Sequence, residues 1–252
     1  MSSIWNRFWF DFRVSTLHLA VFRVAFFSVF SLQAFMQIDN AARYGMGDFN
    51  VGQLAGTGLE RLLPFPNRPL MLTLFVTQAY LAAAIAVGRL SRAWVAVLGL
   101  LLGLGYFVSL LDSYQHHFMM VLVLCALSFQ RWQPEARSRS SVGDWPLRLV
   151  LVLVSIVYFW AIITKLEPVF LGGRTLQLQV THGWMYELFV GLPFGTNDPL
   201  APYAFAAKMV VVIEAVLAVA IHVGPLRLPA ALLGMAFHLG LELSGVFSIG
   251  LF

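Results

Sequence analysis

Apolar residues fall into seven long runs, and the stretches between them carry most of the charge. A helix needs about 20 mainly apolar residues to cross ~30 Å of hydrocarbon. The runs at 16–37, 69–88, 93–111, 147–165, 203–223 and 228–249 meet or approach that length. The run at 117–130 is short and must borrow flanking residues or tilt. The pattern predicts an all-α fold: a polytopic transmembrane helix bundle of about seven spans, built as a single integral membrane domain over 1–252. Ahead of the first span, Trp5, Phe8, Trp9, Phe10 and Phe12 mix with Arg7, Asp11 and Arg13. That density of aromatic and charged groups predicts an N-terminal interfacial helix over 3–14. A cleaved signal peptide would instead place a short apolar core directly after its basic start.

The charges between the runs orient the chain. Arg7 and Arg13, then Arg89 and Arg92, then Arg131, Arg137, Arg139 and Arg148, and finally Arg227 all fall on one side when links are counted alternately. The other side holds Asp39, Arg43, Asp48, Glu60, Arg61 and Arg68 in its first loop, then Asp112, and later Glu167, Arg174, Glu187 and Asp198. The basic side is read as cytoplasmic, with the N-terminus inside. Two outer segments, roughly 38–68 and 166–202, are rich in Gly, Pro and aromatics and are expected to fold back onto the bundle. The stretch from Pro134 to Gly143, with serines between arginines, reads as a flexible linker.

Composition agrees with a membrane protein. Of 252 residues 60% are hydrophobic and 11% charged, against ~25% charged in soluble domains. A net charge of +4, scattered along the chain, makes no nucleic-acid surface. The lone Cys125 excludes an internal disulfide and a cysteine metal cage. Only Lys165 and Lys208 among the basic residues are lysine, a bias of GC-rich coding sequence that points to a bacterial cytoplasmic membrane.

Charge inside a span costs at least ~2.5–3.5 kcal/mol on insertion scales and needs an explanation. Lys165 ends the fifth run, the pair His116 and His117 opens the fourth, and His238 lies one turn before Glu242 in the last. On this topology Lys165, His117 and His238 occupy the outer half of the bundle. Each has a plain alternative: a helix-end lysine snorkels, a histidine pair caps a helix, and His238 with Glu242 fastens two helices. Adjacent histidines point about 100° apart on a helix, so they are poor co-ligands and no metal site is expected. Arg23, Lys208 and Glu214 are further charges within apolar runs, and Lys208 and Glu214, not on one face, need partners on other helices. No phosphate-cradling glycine loop, nucleophile elbow or zinc-protease motif occurs.

Four segments resemble the membrane domain of vitamin K-dependent gamma-carboxylase, within the wider horizontally transferred transmembrane domain family. They are Leu19 to Arg23; Leu110-Leu111-Asp112 followed by Tyr114-Gln115-His116-His117; Ile156 to Ala161 running on to Lys165-Leu166-Glu167 and Gly172-Gly173; and Phe237-His238 followed by Phe247 to Phe252. They occur in family order across almost the whole chain. The resemblance implies Lys165 as a catalytic base, His117 as the histidine that orients it, and His116 at an amide position of the motif. Tyr114, Trp160 and His238 become candidate cofactor contacts. It also implies a vitamin K-type quinol (menaquinol) and O2 as cofactors, with CO2 as an optional co-substrate. In that family a lysine amine deprotonates the quinol, dioxygen adds, and a strong base then removes a carbon-bound proton as the quinone becomes its epoxide. Such a lysine must be neutral near pH 7, which desolvation favours.

The carboxylase carries a large domain after its membrane part, and this sequence ends at Phe252. Quinol oxygenation or another proton abstraction is therefore expected ahead of glutamate carboxylation, and a terminal family helix is expected to be either missing or supplied by a second subunit. The expected partners are the lipid bilayer, a lipophilic quinone entering sideways, and a peptide or small-molecule substrate or a second subunit. The alternative reading is a non-catalytic accessory membrane protein for maturation or export of a secreted peptide. A transporter is a third, without the broken helices or internal symmetry that would support it.

Overall fold

The computed structural model describes residues 4–47, 52–89, 91–109, 115–132, 141–191 and 198–243. These form two compact units, Met1–Val150 and Leu151–Phe252. The first holds α1 (Ile4–Phe10), β1 (Arg13–Ser15), α2 (Thr16–Met36), α3 (Ala41–Tyr44), α4 (Arg68–Ala86), α5 (Arg92–Val108), α6 (Gln115–Leu127) and β2 (Ser141–Gly143). Helix α7 (Trp145–Lys165) begins there and continues into the second. The second unit adds α8 (Pro168–Leu171), α9 (Arg174–Gln179), α10 (Gly183–Gly191), α11 (Ala201–Ala220) and α12 (Arg227–Leu243).

Each predicted run coincides with a helix, but among the described residues only four helical segments are long and apolar enough to cross a membrane. They are Thr16–Tyr44, Arg68–Ala86, Trp145–Lys165 and Ala201–Ala220. Helices α5, α6 and α12 have 17, 13 and 17 described residues, below the ~20 needed to span upright. Apolar side chains cover the outside of α7: Phe159 is 56% exposed, with Ile156 and Ile163 also open. Such a surface is a liability in water and a normal one against lipid.

The interfacial helix is shorter than the predicted 3–14. It stops at Phe10, and Arg13 to Ser15 instead pair antiparallel with Ser141 to Gly143. A ribbon is favoured there because the Ser15 side chain accepts from the His18 backbone N–H and starts α2. The end of the expected linker is thus a strand, while 133–140 lie outside the described residues. The ribbon delivers the chain to Asp144, whose N–H donates to Phe12 O at 2.8 Å. Asp144 is fully buried; its carboxylate accepts from Leu147 N–H and from Gln130 Nε2, both at 3.1 Å, and so caps α7. Arg148, one turn on, stacks its guanidinium 3.9 Å from the Phe8 ring centroid and so ties α1 to this junction.

Within lipid there is little hydrophobic drive between helices, so packing and interhelical hydrogen bonds hold the bundle. In the first unit Ser31 Oγ donates to Ala79 O at 2.8 Å, joining α2 to α4. The first long segment between spans, 38–68, folds back as expected where it is described: Ala41 and Tyr44 are buried with Met71, Leu74 and Val108. The second does likewise, with Phe170, Leu176 and Val180 packed on Tyr203 and Ala207 of α11. Gly173 makes that docking possible. Its φ is +83°, and a Cβ there would sit 2.3 Å from the Ala204 nitrogen.

Candidate functional site

Helix α7 places the site. It ends at Lys165 because Pro168 holds Glu167 extended (φ −69°, ψ 148°) and the helix cannot continue through it. Ser155, Tyr158 and Lys165 then lie on one side of α7, since steps of three and seven residues return to nearly the same face. Each meets a polar group from α11 or the segment beyond it.

The Lys165 ammonium donates to Glu214 Oε1 of α11 at 2.6 Å. The lysine side chain is 26% exposed and the glutamate 7%, so the lysine opens the pair to its surroundings and the acid closes it. Glu214 Oε2 is buried with no hydrogen-bond partner among the described residues. Tyr158 Oη and His238 Nε2 of α12 share a hydrogen bond of 2.9 Å. Ser155 Oγ donates to Ala218 O at 2.7 Å and accepts from His222 Nε2 at the same distance, which places the proton of that imidazole on Nε2. The second unit thus carries a polar seam of three separate hydrogen-bonded groups along α7, and its buried carboxylate, Glu214, keeps one oxygen spare.

Of the residues singled out in the sequence, Lys165 and His238 both stand on this seam. Trp160 lies on the opposite side of α7, 58% exposed, with its ring edge-on to Phe159. His117 belongs to α6 in the first unit and is half-buried. His116 is in the same helix, but its side chain and that of Glu242 lie outside the described residues, as does Tyr114 altogether. Lys208 is exposed on α11 rather than buried, and Arg23 is half-buried. Glu214 does have its partner on another helix, as the pattern required. Sequence reasoning missed the identity of that partner and gave Tyr158, Ser155 and His222 no role. The signal for Tyr158 was available in its spacing of seven from Lys165.

The HTTM domain family matches this chain over residues 12–252. No curated protein matches it, and no solved structure does.

Proposed function

The chain belongs to the HTTM domain family, the membrane-domain family related to vitamin K-dependent carboxylase, and from that premise we propose that it is a quinol-dependent membrane enzyme whose base is Lys165. The observation that carries this reading is the 2.6 Å contact between Lys165 Nζ and Glu214 Oε1. A proton passing from Nζ to Oε1 leaves a neutral amine beside a neutral acid. Net charge is unchanged, so the transfer separates no charge from its counterion in a low-dielectric setting. The amine lone pair can then take a proton from an acidic hydroxyl held against it.

The donor set fits a quinol hydroxyl: the spare Glu214 Oε2 is a buried acceptor next to the Lys165 ammonium. Lys165 and Glu214 would hold the hydroxyl end. When bound with O2, a menaquinol-type ring supplies oxygenation chemistry that drives proton abstraction from a substrate, with or without CO2. Tyr158 and His238, hydrogen-bonded to each other, tie α7 to α12 beside the pair. The enzyme sits in a bacterial cytoplasmic membrane with its N-terminus inside and the lysine toward the outer face.

Purified protein in lipid, given menaquinol, oxygen and bicarbonate, is expected to form quinone epoxide. Lys165→Ala is expected to abolish it. Epoxide that persists in the variant would move the base elsewhere, and no epoxide from the unaltered protein would remove the enzymatic reading.

A further inference from the structure

At one end of the first unit, the turn between α4 and α5, the residues after α6 and one side of α2 line an open cavity of about 580 Å³. Four of its lining residues are arginines: Arg23, Arg89, Arg92 and Arg131. None of the described lining residues is acidic. The carboxylate of Asp144 lies behind Gln130, another lining residue, and is already engaged by Gln130 Nε2 and by Leu147 N–H. Four guanidinium groups around one cavity repel one another, and a bound anion would turn that repulsion into attraction.

Two further observations point to an anion with several acceptor oxygens. Arg23 Nε and Trp132 Nε1, both on lining residues, are buried with no hydrogen-bond partner among the described residues. Buried donors are normally satisfied, so two orphans on lining residues leave this wall short of acceptors. The Arg23 guanidinium also lies against Gly88: a Cβ there would stand 3.0 Å from one terminal nitrogen and 3.3 Å from Cζ. Gly88 has φ +75°, so glycine here both makes the turn and leaves room for the guanidinium. The turn is shaped around the arginine.

We propose that this cavity binds a phosphate group, through the forked donors of Arg23, Arg92 and their neighbours. Guanidinium matches phosphate geometry with paired hydrogen bonds. The cavity lies at the end of α4, which is long and apolar enough to span, and basic pockets between helices at such ends suit anionic lipid. The same chemistry would accept free phosphate, so the test separates the two.

Full-length protein would be extracted in mild detergent and offered either phosphatidylglycerol or phosphatidylcholine, with retained lipid read by native mass spectrometry. In parallel, its thermal unfolding would be followed in inorganic phosphate against chloride at matched ionic strength. Retention of phosphatidylglycerol over phosphatidylcholine, falling about tenfold in Arg23→Gln, identifies a lipid headgroup. Stabilisation by inorganic phosphate without lipid preference, lost in the same variant, identifies soluble phosphate. Should Arg23→Gln fail to fold, the exposed pair Arg89→Gln and Arg131→Gln gives the same reading, with Arg61→Gln as a remote control. Equal retention of both lipids with no phosphate effect overturns the proposal, as does preference that survives both sets of substitutions.

Discussion

At the scale of single residues, one pair organises the second unit. Glu214 is buried and Lys165 is its described partner. Removing one member of such a pair leaves an uncompensated charge and costs on the order of 3–5 kcal/mol, whereas replacing both by apolar groups costs far less. Lys165→Met is therefore expected to lower unfolding stability in mixed detergent, and adding Glu214→Leu is expected to recover most of the loss. Equal losses in single and double variants would mean that the contact contributes no coupling. Asp144 makes a different prediction, because it lies outside the spans. Burial pushes its carboxyl above the ordinary carboxylate range, against the lowering effect of its hydrogen bonds from Leu147 and Gln130. The folded state then holds a proton that the unfolded chain has released, so stability is greatest at low pH and falls as pH rises through the raised value. Unfolding midpoints measured across that window should show the slope in the unaltered protein and lose it in Asp144→Asn.

At the scale of elements, the apolar runs predicted the helices well because length and hydropathy are local properties. The ends of α2, α4, α7 and α11 fall within a few residues of expectation. What a one-dimensional pattern could not supply was the β1–β2 ribbon, since its two three-residue strands are brought together only by the fold. It equally could not say which helix faces Glu214. The candidate site was half legible: Lys165 and His238 stood out as polar groups in apolar runs, while Tyr158 looked like one aromatic among many. Two element-level tests follow. Gly173→Ala should undock α9 from α11, because the added methyl would meet Ala204 and Tyr203 backbone, at a cost of about 1–3 kcal/mol; a lower melting temperature checks it. Arg148→Gln removes the stacking on Phe8, worth about 0.5–2 kcal/mol, and faster amide exchange over 4–10 would report the loosened helix.

At the scale of the whole molecule, the chain is a membrane protein of the HTTM family with a protonatable seam in one unit and a basic cavity in the other. The arginine-bearing links predict that Ser91 faces the cytoplasm and Thr57 the outside. On a Cys125→Ser background, Thr57→Cys should react with a membrane-impermeant maleimide on intact cells and Ser91→Cys should not; the reverse pattern would invert the topology. The most searching experiment concerns the seam itself. Quinol oxygenation would be timed in proteoliposomes for the unaltered protein, Lys165→Met, Glu214→Gln and the double variant. Two groups that hand one proton between them act as a unit, so each single change should slow the reaction about 10²–10⁴-fold and the double no more than the worse single. Losses that multiply, or a Glu214→Gln protein at full rate, would contradict the shared proton on which the proposed chemistry depends.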